Sequence, residues 1–315
     1  MSKSNMMILG LIVSLALYPL GVDSAWLAIG TTFLVFSTVA LSQDIVLGRA
    51  GVFHMGHAMF FGLGAYTTAI LNVHFGWEIA WTFLPAIGIA VISAFVLMAP
   101  IIHLRGDYLL VATIGFNIIF IQVLTNDLFG LTGGPNGIFG IDVVRLFGVE
   151  LSSQSHVYYM ALALLCITLF IIKTLDKSKF GRALFYMHKD EIAAQSMGIS
   201  LRYFKLYAFL LGAGIAGAAG SMFSIQYSAV SPEAFNVTQS IMFFTIVLVG
   251  GSASLPGVLI GTFVMFVLPE MFRDFQSARY LVFGIAMILT MILRPHGIWP
   301  VKFGNIPSFL KKGAK

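Results

Sequence analysis

Two histidines, His54 and His57, are the residues of this 315-residue sequence that best suit a metal ion. A spacing of three residues places two imidazoles on one side of a helix, where a transition metal can bind. Neither a cysteine nor a cluster of carboxylates completes the ligand set, and the single cysteine, Cys166, excludes an intramolecular disulfide. We therefore expect no metal site. Hydrogen bonding to backbone exposed where a helix begins or breaks is the expected role of the two imidazoles.

A second polar pair, Thr113 and Asn117, lies within an apolar run. The two residues are four apart, so in a helix both side chains point in the same direction. A buried amide without a hydrogen bond costs roughly 2–7 kcal/mol, and the pair must therefore face protein or water. Two interpretations remain open: the pair lines a path for a polar substrate, or it forms hydrogen bonds between helices.

Motifs that would supply energy for chemistry or transport are missing from the sequence. No G-x-x-x-x-G-K-[ST] loop occurs, so ATP would have to be hydrolysed by another protein. The apolar runs contain almost no ionisable residues, and Glu270 is found close to the end of one of them. Ion-coupled carriers usually place acidic residues or broken ion sites at mid-depth in the membrane. An ion-coupled secondary transporter is therefore the less favoured alternative.

The elements that must position these residues are membrane-spanning helices. Hydrophobic residues make up 58% of the sequence and charged residues only 10%, against roughly 25% charged in soluble domains. We expect one all-α transmembrane domain over residues 1–315, without a separate soluble domain. Asp23 spoils a signal-peptide cleavage pattern, so the first run is expected to be an uncleaved helix. The ten runs near the ~20 residues that span a bilayer are 6–22, 25–43, 56–73, 79–102, 108–125, 156–174, 206–229, 238–251 (short), 255–272 and 279–294, with residues 45–55 a candidate re-entrant piece.

The distribution of positive charge predicts how the chain is oriented. Lys and Arg in short loops remain on the cytoplasmic side of a membrane. If both termini are cytoplasmic, only Arg145, Arg273 and Arg279 of the 18 Lys and Arg residues fall on the outer side. The net charge of +5 is then explained by this bias and requires no nucleic-acid partner.

The largest predicted cytoplasmic loop covers about residues 175–205. Within it, Asp190 can cap a short helix, Glu191 suits the positive end of the helix dipole, and Gly198 can end the helix. The resulting helix would present an apolar, mostly small surface that contains Ile192 and Ala193, with Ser196 and Met197 on neighbouring faces. Such a surface fits a groove on another protein, or it lies on lipid headgroups. The pattern alone does not separate these two interpretations.

Small residues at four-residue steps predict where helices pack closely. One strip contains Ala58 and Gly62, and another contains Gly212, Ala216 and Gly220. The glycines and Pro256 in "GGSASLPG" (residues 250–257) predict a sharp reversal between helices. "TGGPNGI" (residues 132–138) has Pro and Gly where a turn needs them, in the longest outer loop.

Several ordered blocks of the sequence resemble one family. "EIAAQSMGI" (residues 191–199) is similar to the Glu-Ala-Ala…Gly loop of ABC importer permeases, whose coupling helix docks on the ATPase subunit. More specific blocks occur in the order seen in branched-chain amino acid importer permeases, in particular the M-type subunit that pairs with an H-type subunit. The family often has Gln-Leu/Val-Ser-Leu where this chain reads Val52-Phe53-His54-Met55. The blocks are "GRAGVFHMGHAMFFGLGAYTTAIL" (48–71), "LRGDYLLVATIGF" (104–116), "LTGGPNGI" (131–138), "FGRALFYMHKDEIAAQSMGI" (180–199), "AGIAGAAGSMFS" (213–224), "VLVGGSASLPGVLIG" (247–261) and "RPHGIWP" (294–300).

The resemblance implies a permease fold of the type II-like importer kind in the bacterial cytoplasmic (inner) membrane. It implies import of leucine, isoleucine or valine, with urea or short amides as alternative substrates that close relatives use. The expected partners are an H-type permease, two ATPase subunits that bind ATP, and an extracytoplasmic solute-binding protein, while this chain itself binds no cofactor and is no enzyme. The residues that the resemblance assigns to ATPase coupling are Gly181, Arg182, Glu191, Ile192, Ala193, Ala194, Met197 and Gly198.

Overall fold

The structure is a computed structural model of the chain. It describes residues 14–104, 106–146, 149–150 and 153–271, together with positions 10, 284, 288 and 297–299. Of the predicted spans, 279–294 lies outside these residues except at positions 284 and 288, and 6–22 is described only at position 10 and from residue 14 onward. Within the described part, Tyr18–Leu20 form a turn of 3₁₀ helix that precedes the first long helix.

Long apolar helices make up most of the described chain. Helix α1 (Ser24–Asp44) continues as a π-helical stretch, Ile45–Arg49, and the chain then returns without regular structure before α2. The other helices of the bundle are α2 (His57–Val73), α3 (Ile79–Ile101), α4 (Asp107–Thr125), α5 (Gln154–Lys177), α8 (Leu201–Tyr227), α9 (Val237–Gly250), α10 (Leu255–Thr262) and α11 (Leu268–Met271). Two shorter helices, α6 (Lys179–Lys189) and α7 (Glu191–Ser196), connect α5 to α8.

The helix lengths confirm an all-α membrane chain, although they do not establish a count of ten spans. Six helical stretches of the described residues are long and apolar enough to cross a membrane: 24–49, 79–101, 107–125, 154–177, 201–227 and 232–250. Helix α2 has 17 residues, and the run at 255–272 is interrupted by π-helical residues Phe263–Val267. Residues 45–49 extend α1. Of the candidate re-entrant piece at 45–55, only residues 50–55 are therefore outside a helix.

The centre of the bundle is formed where α8 crosses α2 and α3 at close range. A side chain added at Gly220 would overlap the backbone of Phe61 in α2, and one added at Gly64 would overlap that of Gly217 in α8. At Gly217 the nearest neighbours are Ala86 and Ala90 of α3. These contacts explain why small residues are needed in this part of α8, since helices approach this closely only where both surfaces lack bulk.

All five residues of the predicted packing strips are buried. The neighbour of Gly212 is the carbonyl of Ser42 in α1, 3.0 Å from an added Cβ, whereas the nearest atoms at Gly62 belong to Phe120 and Phe235. Ala58 and Ala216 are both 0% exposed. The two strips thus face different partners: α1 and α2 surround α8, while α2 is also covered by α4 and the segment before α9.

Short paired strands are found in the loops at the end of the bundle opposite α6 and α7. Strand β1 (Ile138–Phe139) pairs antiparallel with β4 (Ala229–Val230), and β2 (Arg145–Leu146) pairs antiparallel with β3 (Val149–Glu150). The turn before β1 has positive φ at Gly133, Gly134 and Gly137, at 70°, 58° and 78°. This backbone favours glycine, as expected for a turn at residues 132–138.

The reversal between α9 and α10 occurs at Gly250–Ser254, where the sequence predicted it. Gly251 has φ 115°, and added side chains at Gly250 and Gly257 would overlap each other's backbone. Residues 297–299 lie against this reversal, because the amides of Ile298 and Trp299 donate to the carbonyls of Val249 and Gly250 at 2.8 and 3.0 Å. Separate parts of the chain therefore meet at the end of the bundle that carries α6 and α7.

Candidate functional site

The best candidate site is the segment that contains α6 and α7, which we call the α6–α7 segment (residues 178–200). Ser178 begins it: its Oγ accepts from the amide of Gly181 at 3.0 Å and donates to the carbonyl of Leu175 at 2.6 Å. A side chain at Gly181 would overlap that same carbonyl. Gly181 thus allows α6 to turn away directly from the end of α5. Arg182, from the next turn, donates to the carbonyl of Lys177 at 3.3 Å.

Helix α7 begins and ends at the residues that the sequence indicated. Asp190 Oδ1 accepts from the amides of Ile192 and Ala193 at 2.9 and 3.0 Å, which satisfies two donors that a helix start leaves free. After the last helical residue, Gly198 has φ 82°, and the amide of Ile199 donates to the carbonyl of Ala194 at 3.1 Å. The helix has six residues and is thus short, as expected.

Part of the surface that α7 presents to solvent is apolar, beside the exposed side chains of Gln195 and Ser196. Ile192 is 73% exposed and Met197 is 74% exposed, and Ala193 lies exposed between them. Ala194 differs from the other residues assigned to coupling, because it is buried at 1% exposure. Its small size is therefore explained by packing within this chain, whereas that of Ala193 is not.

The α6–α7 segment is tied to α8 through an ion pair. Lys205 Nζ donates to Glu191 Oε1 at 2.6 Å, and the Lys205 side chain is 8% exposed. A groove of about 430 Å³ lies beside this pair. Glu191 thus faces α8 and binds it through Lys205. The residues that line the groove are Ile102, His103, Glu191, Gln195, Gly198, Ile199, Ser200, Leu201, Arg202 and Lys205.

Helix α6 rests against the turn that follows α1. Leu184 and Met187 are buried at 1% exposure, and the ring of His188 lies close to Gly51, 3.1 Å from the position of an added Cβ. Loss of water around the ring, followed by the charge of Lys189, lowers the pKa of His188. The side chain is therefore neutral near pH 7 and packs as an uncharged ring.

Thr113 and Asn117 lie inside the bundle, on the one buried face of α4. Thr113 Oγ1 accepts from the amide of Met55 at 3.1 Å and donates to the carbonyl of Leu110 at 2.9 Å. The Asn117 amide group donates to Phe235 O and Ser240 Oγ, each at 3.4 Å. These are contacts between helices and neighbouring segments, the second of the two interpretations that the sequence left open. Among the described residues, Asn117 Oδ1 has no hydrogen-bond partner.

The two histidines contact each other where α2 begins. His54 Nε2 and His57 Nδ1 are 3.1 Å apart, and His57 Nε2 lies 2.7 Å from Ser42 Oγ. The amide of Ala58 is bound by the Ser240 hydroxyl at 3.0 Å. A hydroxyl side chain thus binds a backbone amide at the start of α2, a role that we expected of the imidazoles. No group of three or more His, Cys, Asp or Glu residues that could hold a metal ion is found in the described part of the chain.

Sequence reasoning missed a buried charge cluster at the end of α1. Arg49 was interpreted only as a cytoplasmic positive charge, whereas the structure places it at 7% exposure beside the fully buried Asp44. Asp44 is thus an acidic residue within a long apolar helix, in addition to Glu270, which the sequence had indicated. The available signal was an acidic residue five positions before an arginine, at the end of an otherwise apolar helix.

Comparison with known proteins identifies the family. A sequence profile described as "Branched-chain amino acid transport system / permease component" matches residues 25–291. The chain belongs to this permease family. The matched range includes all of α1 except its first residue, the helices from α2 to α11 and the whole α6–α7 segment. The chain is accordingly a multi-pass membrane protein and a transport permease component.

Individual members of the permease family are similar over most of their length. The high-affinity branched-chain amino acid transport system permease protein LivM of Escherichia coli is 34% identical, over 99% of this chain and 78% of that protein. LivH of Escherichia coli is 24% identical over 84% of this chain and 90% of LivH. The probable LivM of Methanocaldococcus jannaschii is 22% identical over 89% and 94%. No solved structure matches the chain.

Proposed function

We propose that this chain is the M-type permease subunit of an ATP-driven importer of branched-chain amino acids. The observation that carries the proposal is the exposed apolar face of α7, formed by Ile192, Ala193 and Met197, in a chain of the branched-chain amino acid permease family. Its whole length then forms one transmembrane domain with a ten-helix, type II-like importer fold. The chain hydrolyses no ATP and binds no cofactor itself.

In the proposed mechanism, the α6–α7 segment receives the movement of an ATPase subunit. The exposed face of α7 docks in a cleft on that subunit, and closure of the ATPases on ATP displaces the helix as a rigid element. Ser178 and Gly181 fix the angle between α5 and α6, while the bond from Glu191 to Lys205 passes the displacement to α8. The buried side chain of Ala194 packs α7 against the rest of the chain, and Gly198 ends the helix.

The proposed orientation places the α6–α7 segment in the cytoplasm of a bacterial cell, with both termini on the same side. It rests on the excess of Lys and Arg at this end of the bundle. In a Cys166→Ser background, Gln195→Cys should react with an impermeant thiol reagent only from the cytoplasmic side. Phe139→Cys, at an exposed position of β1, should react only from outside. Reversed labelling would contradict the orientation.

The partners in this proposal are an H-type permease, two ATPase subunits and an extracytoplasmic solute-binding protein. The names of the relatives LivM and LivH, both described as permease proteins of one kind of transport system, support a pair of permeases. The loop between α4 and α5, with its glycine turn and β1, lies at the end opposite α7 and is the surface offered to the binding protein. Leucine, isoleucine and valine are the proposed substrates, with urea or short amides as the alternative.

Thr113 and Asn117 remain candidates for the translocation path on one condition. Both side chains are buried at 1% and 0% exposure, so α4 would have to separate from Ser240 and the residues around Met55 before a substrate could contact them. Thr113→Val removes the hydroxyl and keeps the shape. If the pair contacts substrate, this variant changes the apparent affinity for uptake, whereas a purely structural role reduces abundance.

Reconstitution of the complex tests the proposed function. Copurification from the native host should recover a second permease and two ATPases, and proteoliposomes should import branched-chain amino acids only with ATP, binding protein and all subunits. Ala193→Arg should remain in the membrane at normal abundance yet lose substrate-stimulated ATP hydrolysis and uptake together, because added volume blocks docking. Ala193→Ser, which stays small, should retain both activities.

The outcome of that experiment separates the alternatives. If Ala193→Arg hydrolyses ATP and imports substrate at wild-type rates, α7 is not the coupling element and lies on lipid headgroups instead. Transport by the isolated chain in response to an ion gradient would establish the secondary-transporter alternative. If the complex imports urea in preference to branched-chain amino acids, the proposed substrate is wrong and the proposed mechanism is unchanged.

A further inference from the structure

Arg49 is a buried arginine that connects two parts of the bundle far apart in sequence. Its Nε donates to Asp176 Oδ1 at 2.7 Å and its Nη2 donates to Asp176 Oδ2 at 3.1 Å. The third nitrogen, Nη1, donates to Asp44 Oδ2. A paired, planar contact of this kind fixes the orientation of both side chains, which a lysine could not reproduce.

Asp44 extends the cluster to the reversal between α9 and α10. Its Oδ1 accepts from the amide of Ala253 at 2.8 Å, and Ala253 is held at φ 61°. A side chain at Gly48 would overlap the carboxylate of Asp44 and crowd the Ala253 amide. Glycine at position 48 is therefore what allows the end of α1 and this reversal to share one carboxylate.

Asp176 connects the same cluster to the α6–α7 segment. It lies two residues before Ser178, which caps α6, and only a short stretch of helix separates it from Asp190, which caps α7. The segment also contacts the end of α1 through His188 and Gly51. Asp176 thus lies at the junction between α5 and the α6–α7 segment.

The two carboxylates differ in how readily they can leave Arg49. The Asp44 side chain is 0% exposed, so separating it from Arg49 would leave a buried charge that only the Ala253 amide binds and that water does not reach. The Asp176 side chain is 44% exposed and can be hydrated once its bond to Arg49 breaks. Arg49 and Asp44 thus form the fixed half of the cluster, and Asp176 forms the half that can be released.

We propose that Arg49 and Asp176 are positioning residues for energy coupling, which join the α6–α7 segment to the ends of α1, α9 and α10. This inference rests on the proposed function. Displacement of α7 by an ATPase subunit pulls on α8 through Glu191 and on α1 through Asp176. Release of Asp176 from Arg49 lets α1 and the α9–α10 reversal move separately from α5. ATP hydrolysis without the contact between Arg49 and Asp176 would move the α6–α7 segment and α8 while leaving α1 and the α9–α10 reversal in place.

The test compares substrate imported per ATP hydrolysed in proteoliposomes that contain the full complex. Asp176→Asn keeps the shape of the side chain and removes its charge, and Arg49→Lys keeps the charge and removes the paired contact. We expect both variants to lower the ratio of import to hydrolysis about fivefold or more, the usual scale of a coupling free energy. Asp176→Glu, which restores a carboxylate, should recover part of the ratio. Asp23→Asn, at an exposed carboxylate before α1, is the matched control.

Several outcomes would overturn the inference. An unchanged ratio in both Asp176→Asn and Arg49→Lys would show that the cluster does not take part in coupling. Normal membrane abundance is expected for Asp176→Asn because its side chain is exposed, so loss of that variant from the membrane would make the cluster a folding element instead. If Arg49→Lys alone is lost, Asp176→Asn still decides. Absence of ATP-dependent import in the wild-type complex would contradict the proposed function. Measuring the wild-type complex therefore distinguishes failure of the proposed function from failure of this inference.

Discussion

Small residues are needed for different reasons at the centre of the bundle and on the surface of α7. In α8, Gly217 and Gly220 are small because the backbones of α3 and α2 leave no room for a side chain. In α7, Ala193 is exposed, and no neighbour in the described part of the chain limits its size. The requirement for smallness is internal in the first region. In the second region it arises only if another molecule covers the helix.

The largest effect is expected from Gly220→Val. The added side chain would meet the backbone of Phe61 and Ala65, which cannot move without shifting α2, and overpacking of this kind costs about 1–3 kcal/mol or more. The abundance of the variant in the membrane and its thermal unfolding temperature in detergent should both be lower than those of the wild type. Gly88→Val is the control, because no atom lies within 4 Å of an added Cβ at position 88 of α3. Equal abundance of the two variants would contradict the close contact of α2 and α8.

The comparison also shows which features the sequence could predict. The strip of Gly212, Ala216 and Gly220 was recognisable because residues four apart share one face of a helix. The helix that contacts this strip was not recognisable, since several apolar helices are equally suitable partners. The start and end of α7 could be predicted from Asp190 and Gly198, because caps depend on neighbours within a few residues.

Features that depend on distant residues could not be predicted in this way. Arg49 and Asp176 are 127 positions apart, and nothing local distinguishes a buried arginine from one that marks the cytoplasmic side. The different burial of Ala193 and Ala194 depends on how α7 lies against the rest of the chain. Helical periodicity separates the two alanines by about 100° but does not indicate which of them faces inward.

A pair of substitutions in α7 sharpens the comparison within one helix. Ala194→Glu introduces a charge at a position that is 1% exposed, and we expect about 2–3 kcal/mol of local destabilisation from overpacking and lost hydration. Ala193→Glu introduces the same charge at an exposed position and should leave the segment intact. Limited proteolysis of the α6–α7 segment measures the difference. Equal protease resistance of both variants would show that Ala194 is not held inside.

At position 198, glycine is needed for its backbone conformation and not for lack of space. No atom lies within 4 Å of an added Cβ, yet φ is 82°, which costs an ordinary residue about 1–2 kcal/mol. Gly198→Ala should therefore loosen the end of α7 and reduce ATPase stimulation, with normal membrane abundance. Gly198→Asn should have a smaller effect, because asparagine tolerates a left-handed backbone better than alanine. A larger defect in the asparagine variant would indicate that space at this position matters after all.

The smallest effect is expected at the cap of α7. Asp190→Ala removes the acceptor of two amide hydrogen bonds at 2.9 and 3.0 Å, and loss of such a cap costs about 1 kcal/mol. Because a free energy of this size changes an opening equilibrium about fivefold, the amides of α7 should exchange with deuterium about five times faster. Asp190→Ser keeps a capping oxygen and should exchange nearly as slowly as the wild type. Both variants leave Ile192, Ala193 and Met197 in place, so uptake should fall only in proportion to the time that α7 spends unfolded. Faster exchange with unchanged uptake would mean that docking refolds the helix, and the small residues of α7 would then matter for its bound shape alone.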